Sequence, residues 1–170
     1  MAVAVIDAQT SFLASMSGES EPLLQRLERL LMVADWLDLP TIATIERPVE
    51  AKGHLPDRLQ VRTPNTTGIF EKSTFDLTRE SEIARALAET QRRTIAIAGG
   101  ETDVCVLQSV LGLIDLGYRV YMLEDCLFSS EPDTDAALAR MRQAGALPSS
   151  FKSWAYELTG TVDRTTWPQS

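Results

Sequence analysis

The sequence predicts an α/β domain with three layers: helices on both faces of a doubly wound, mainly parallel sheet of about five or six strands. Three observations carry that expectation. Short apolar runs alternate with amphipathic helical stretches along the whole chain. Residues 94–98 (TIAIA) form an apolar, β-branched run that ends at Gly99 and Gly100, the pattern of a buried parallel strand entering a turn. Val104, Leu107, Leu111 and Ile114 then recur at helical spacing, so a helix follows that strand directly.

The elements can be justified in order. Residues 2–6 (AVAVI) read as the first strand. Leu23, Leu24, Leu27, Leu30, Leu31, Ala34 and Leu37 mark an amphipathic helix that Pro40 ends, and residues 41–45 form a second strand. Residues 46–65 read as a long loop punctuated by Pro48, Gly53, Pro56 and Pro64; loops of that length are usually functional or disordered. Residues 68–71 suggest a short third strand, and 79–89 a helix with Ile83, Ala86 and Leu87 inward. After the strand and helix already described, Gly117 closes the helix and 119–123 form another strand. Pro132 opens a helix to about Gln143, stopped by Gly145. A short strand is expected near Phe151 and a helical turn over 154–158. Residues 1–160 read as a single domain and 161–170 as a C-terminal tail.

Composition narrows the function. A chain of 170 residues can bury roughly 70% of its unfolded surface, enough for a core without staples. Sixteen basic against 24 acidic residues give a net charge of −8, with no basic stripe for nucleic acid or an anionic membrane. No apolar run reaches the length of a membrane span. Met1 leads straight into the first strand, without a basic segment and apolar signal core, and two cysteines do not make a secreted disulfide framework. The expected location is the cytoplasm. A single histidine, His54, cannot build a His-rich metal site, and neither metal nor cofactor is expected.

Three chemically complementary residues fall at strand ends. Asp7 follows the first strand, Lys72 the short third one, and Cys105 lies in the first turn of the helix after residues 94–98. Open α/β sheets place their sites at this carboxyl edge. Thr102 or Asp103 is expected to cap that helix, whose dipole and amides favour a thiolate at Cys105. Each residue alone has an ordinary reading: a turn aspartate, a solvated lysine, a small buried cysteine. Taken together, a carboxylate, an amine and a thiol stand at the ends of three candidate strands.

Residues 5–12 (VIDAQTSF), 71–75 (EKSTF) and 99–109 (GGETDVCVLQS) resemble the three signature segments of the isochorismatase-like cysteine hydrolases, in the right order. Residues 117–130 and 137–145 resemble the strand, turn and late helix that follow, so the resemblance covers nearly the whole chain. The run CVLQ after Glu101 is most similar to the YcaC-like and isochorismatase-domain-containing branch. The resemblance implies a Rossmann-like fold and hydrolysis of a small amide, carbamoyl or related C–N bond through a cysteine thioester. It makes Cys105 the nucleophile, Asp7 the general base and Lys72 the cation that steadies both. It also implies a non-proline cis peptide at Gly100–Glu101 and an oxyanion hole from the backbone N–H groups of Glu101 and Cys105. No redox cofactor is needed, and a homo-oligomer acting on a small-molecule substrate is implied.

Some features depart from relatives. Nicotinamidases hold a metal with residues from the loop after the second strand; here that loop offers Glu46, His54 and Asp57. Isochorismatases proper lack the nucleophilic cysteine, so Cys105 argues against direct attack by water. That route, a non-catalytic scaffold retaining the fold and a metal-dependent amidase remain the alternatives. Asp76 stands where many relatives carry a small residue. Candidates for the substrate pocket are Gln9, which could instead hold Asp7; Phe12, expected to pack beside the cysteine helix; Glu46, at the end of the second strand; and Phe75. Arg47 and His54 are weaker candidates for a substrate carboxylate. Cys126 reads as a small buried residue, and Trp154 and Trp167 as either core cover or subunit anchors.

Overall fold

A computed structural model describes residues 1–161. These residues form a parallel six-stranded sheet in the order β3-β2-β1-β4-β5-β6, with helices on both faces. The strands are β1 (Ala2–Ile6), β2 (Thr41–Glu46), β3 (Thr67–Lys72), β4 (Thr94–Gly100), β5 (Arg119–Phe128) and β6 (Leu147–Ser149). The chain winds outward from β1 to β3, returns to β4 beside β1, and winds the other way. The carboxyl ends of β1 and β4 therefore flank the switch point where open α/β sheets bind ligands.

The helices are α1 (Thr10–Ser15), α2 (Ser20–Trp36), α3 (Val49–Lys52), α4 (Asp57–Gln60), α5 (Ser81–Glu89), α6 (Leu107–Asp115), α7 (Asp135–Ala144) and α8 (Phe151–Thr159). Alternate residues of β1 serve opposite faces. Val3 and Val5 join Leu23, Leu27, Leu30 and Trp154 on one side; Ala4 and Ile6 join Ile83, Leu87, Val110 and Met141 on the other. Leu27 and Leu30 are wholly buried, each stabilising the fold by about 1.5–3 kcal/mol through apolar area removed from water.

The structure departs from the sequence expectations in several places. The loop over 46–65 contains α3 and α4, with a cis Arg47–Pro48 bond. The short α1 has no side-chain cap. The helix expected over 79–89 is split, with a 3₁₀ turn at Leu77–Arg79 before α5. The helix expected from Pro132 begins at Asp135. The last strand precedes Phe151, which starts α8. Strand β5 runs five residues past Leu123 because the register slips: Ile97 pairs with Met122, but Gly99 pairs with Leu127. The bulge absorbs the charged pair Glu124 and Asp125 that made the strand seem to stop. Gly99 is required where β4 meets β1. Its φ is +105°, and a Cβ there would lie 2.0 Å from the Ile6 carbonyl oxygen. Trp154 is buried against the α2 side of the core, so it covers the protein's own interior. Trp167 and the expected tail beyond residue 161 lie outside the described residues.

Candidate functional site

Four strand ends deliver the site. Asp7 follows β1 with a φ of +45°, a left-handed conformation uncommon outside glycine. Its backbone N–H donates to the Thr44 carbonyl at 3.1 Å, and the Thr44 hydroxyl donates to Asp7 Oδ1 at 2.7 Å. Lys72 is the last residue of β3, Glu46 the last of β2, and Cys105 follows β4.

The predicted acid, amine and sulfur converge. Lys72 Nζ lies 2.7 Å from Asp7 Oδ2, and donates to Cys105 Sγ at 3.4 Å and to the Thr74 carbonyl at 3.0 Å. Asp7 and Lys72 are wholly buried and Cys105 is 3% exposed. A buried, fully solvent-excluded lysine is rare unless paired; here these three partners and Glu46 hold it. Glu46 completes the cluster: the Cys105 thiol donates to Glu46 Oε2 at 3.2 Å, and Lys72 Nζ stands 3.4 Å from the same oxygen. The other oxygen of Glu46 pairs with Lys52.

The electrostatics split the two carboxyls. Burial raises the Asp7 pKa and outweighs the opposing pull of Lys72 and the Thr44 hydroxyl. Burial also acts to raise that of Glu46, but Lys52, the Cys105 thiol and Lys72 together hold it below the ordinary value. For Lys72, burial acts downward, and Asp7, Cys105 and Glu46 overcome it to leave the ammonium favoured. Burial, then the Asp7 charge, pushes the Cys105 thiol far up, only partly opposed by Lys72.

This corrects the expectation of a dipole-stabilised thiolate. The segment Thr102–Val106 is a π-helical turn leading into α6, not the first turn of an α-helix. Neither Thr102 nor Asp103 caps it: the Thr102 hydroxyl donates to the Phe128 carbonyl, and Asp103 accepts from Ser129. In this resting cluster, burial and the carboxyls of Asp7 and Glu46 favour the neutral thiol. The Gly100–Glu101 bond is cis.

The remaining candidates are placed as follows. Gln9 does not hold Asp7 through its side chain. It is wholly buried and clamps Glu46: Oε1 accepts from the Glu46 N–H at 2.6 Å, and Nε2 donates to the carbonyls of Glu46 at 3.1 Å and Gly53 at 2.7 Å. Phe12 packs on the α2 face, whereas Cys105 belongs to the opposite one, so it is not beside the cysteine helix. It instead underlies Lys52, with the ammonium 5.8 Å from the ring centre. Phe75 is half exposed, and its carbonyl accepts from Ser109. Arg47 pairs with Glu71 on the surface, and His54 is exposed. Cys126 is buried, and no disulfide joins it to Cys105. Sequence reasoning missed Thr44 and Lys52. A threonine inside the buried run of β2 was the available signal for Thr44; nothing local marks Lys52.

Asp7, Glu46 and Cys105 bring ligand atoms within 4.8 Å of one another, the only such grouping among the described residues. Lys72 contacts all three. The protein's own ammonium thus holds the position a cation would take, and the cluster does not fit a metal site. Glu46, His54 and Asp57 form no grouping of their own.

Fold and side-chain geometry together define a doubly wound α/β domain with a buried acid–lysine–cysteine cluster at its switch point. Residues 1–153 match the model of the isochorismatase domain. The chain belongs to the isochorismatase family of hydrolases. Isochorismatase family protein 1B of Dictyostelium discoideum is 33% identical over 163 residues, covering 93% of this chain and 78% of that protein. The chain spans less of two other relatives: 65% of protein 1A from the same organism and 63% of isochorismatase domain-containing protein 2 from Bos taurus. YcaC from Pseudomonas aeruginosa, solved with hexane-2,5-diol and covalent acrylamide, superposes with a TM-score of 0.89 at 27% identity over 97% of this chain and 84% of that one. YcaC from Escherichia coli, an octameric hydrolase of unknown specificity, gives 0.88 at 26%, over 94% and 79%. MAR1 ribonuclease from Caenorhabditis elegans gives 0.86 at 27%, over 98% and 84%. An N-carbamoylsarcosine amidase and a nicotinamidase, at 15% and 16% identity, share the fold.

Proposed function

We propose that this chain hydrolyses a small amide or carbamoyl C–N bond through a thioester on Cys105. One observation carries the reading: a sulfur, an ammonium and a carboxyl of raised basicity meet in one buried cluster, with Lys72 Nζ 2.7 Å from Asp7 and 3.4 Å from Cys105.

In the proposed sequence Asp7 takes the thiol proton as sulfur attacks the acyl carbon. Its raised pKa suits a base that must hold that proton and then give it to the departing nitrogen. Lys72 keeps its charge throughout and steadies the sulfur and Asp7 in turn. The developing oxyanion is received by the backbone N–H groups of Glu101 and Cys105, a role carried over from the family resemblance; one such donor is typically worth about 3–4 kcal/mol in the transition state. When the C–N bond breaks, the amine leaves with the Asp7 proton. Water then gives a proton to Asp7 as it adds to the thioester carbonyl; the S–C bond breaks, the acid leaves, and Asp7 returns the proton to sulfur.

The substrate is a small molecule rather than a nucleic acid, in keeping with the net charge of −8. The protein works as a homo-oligomer, a reading supported by the octameric YcaC. The cytoplasm is the proposed location; no helix among the described residues is long and apolar enough to cross a membrane. The test is a screen of small primary amides and carbamoyl compounds, with mass spectrometry of the quenched enzyme. An acyl adduct on Cys105 is expected, and Cys105→Ala should lose both adduct and turnover. Full activity in that variant overturns the thioester.

A further inference from the structure

Glu46 is built into the cluster more firmly than a pocket-lining residue needs to be. Buried Gln9 grips its backbone from both sides, through its N–H and its carbonyl. One carboxylate oxygen is neutralised by Lys52; the other receives the Cys105 thiol hydrogen at 3.2 Å. The charged groups around Cys105 are Asp7, Glu46 and Lys72, with Lys52 behind Glu46. The resting thiol thus accepts from Lys72 and donates to Glu46, while Asp7 is engaged by Lys72 and Thr44 and lies within 4.8 Å of the sulfur, close enough to take its proton once Glu46 lets go.

We infer that Glu46 is a substrate-sensing residue: it holds Cys105 as a neutral thiol at rest, and the N–H of an incoming primary amide or carbamoyl group replaces the thiol hydrogen on Glu46 Oε2, freeing the thiol for Asp7. This rests on the thioester reading above and names its substrate class, a compound whose scissile nitrogen carries hydrogen. A carboxylate that accepts a thiol hydrogen stabilises S–H and repels S⁻. Glu46 holds its charge at rest, so it offers an acceptor to nitrogen, while Asp7 has the basicity to take the proton. Two carboxyls with pKa values driven apart around one reacting atom divide the work between acceptor and base. The step balances. The S–H bond breaks and its proton goes to Asp7; the S–C bond forms as the carbonyl electrons move to oxygen; the C–N bond then breaks, and nitrogen takes the proton back. Glu46 gains and loses only hydrogen bonds.

Two variants with opposite signs test this. The rate of Cys105 alkylation by iodoacetamide is measured by intact mass from pH 6 to 10, alongside kcat and KM on an amide that the native enzyme turns over. Glu46→Gln removes a negative charge beside sulfur, and should alkylate about tenfold faster near neutral pH as the thiol pKa falls by about one unit. Lys52→Met removes one of the two cations on Glu46, leaving more of its negative charge to act on sulfur, and should slow alkylation. In Glu46→Gln, turnover of primary amides should fall about tenfold despite the more reactive sulfur. A damaged pocket would move reactivity and turnover down together. Alkylation of Glu46→Gln at or below the native rate overturns the proposal; loss of the acyl adduct from the native enzyme overturns the thioester reading instead, leaving the alkylation result to judge Glu46.

Discussion

The two cysteines sit at similar depth on opposite faces of the sheet. Cys105 is 3% exposed and Cys126 wholly buried. Burial is the main cause pushing both thiols up. Their neighbours differ. Cys126 lies in the β5 bulge, its sulfur 3.9 Å from Asp125. That aspartate is occupied elsewhere, pairing with Arg26 and accepting the Phe151 N–H at the start of α8. Cys105 has an ammonium at 3.4 Å, a carboxylate at 3.2 Å and the Asp7 carboxylate within 4.8 Å. Burial by itself yields a small inert hydrophobe. The same side chain becomes a candidate nucleophile when a cation and a base are buried with it.

The contrast is sharpest in activity. Cys105→Ala should lower kcat/KM on a turned-over amide by about a thousandfold or more, whereas Cys126→Ala should stay within about twofold. Equal losses in the two variants would break the distinction. Lys72→Met attacks the feature that separates the sites. It should lower kcat by about a hundredfold. It also strands the Asp7 carboxyl without its buried partner, a loss of about 3–5 kcal/mol that urea unfolding would register. An unchanged unfolding midpoint would show that the ammonium is not what makes the Asp7 site tolerable.

What could be read beforehand follows how local each signal is. Asp7, Lys72 and Cys105 stand out because a polar residue ending an apolar run is visible in a few letters. The parallel sheet follows from alternation alone. The π-helical turn at Cys105 is invisible because Val104 and Leu107 keep a spacing that an α-helix also satisfies. The pairing of Lys52 with Glu46 depends on how residues 47–65 fold back over β2, which no periodicity encodes. Gln9 reads as a turn residue until β1 and β2 are side by side and its amide meets the Glu46 backbone. The extension of β5 was hidden by Glu124 and Asp125, since a bulge spares charged residues the alternation that a regular strand would impose.

Thr44→Val probes the support beneath Asp7. The substitution keeps the shape but removes the hydroxyl that donates to Oδ1 at 2.7 Å. Losing a hydrogen bond to the charged form raises the Asp7 pKa further. The acid limb of kcat/KM against pH should therefore move to higher pH, with kcat at neutral pH down about tenfold. A limb that stays in place would mean that another group sets it, Glu46 being the nearest carboxyl to the sulfur.

The smallest effect tests the point the two cysteines share. Each thiol has a folded pKa raised above the unfolded value of about 9. As pH rises past 9 the unfolded chain releases these protons while the folded chain keeps them. Each thiol thus contributes stability that is fully present below about pH 9 and is lost as pH climbs above it. The loss is at most about 1.4 kcal/mol per pH unit for each thiol. Urea unfolding between pH 8 and 10 should show a descending slope, and Cys105→Ala and Cys126→Ala should each flatten it, by about half a proton at pH 9 and nearly one at pH 10. If only Cys126→Ala does so, the folded Cys105 ionises as freely as an unfolded thiol. The hydrogen bond to Glu46 would then not restrain it, and the two sites would differ in their ground states as well as in their chemistry.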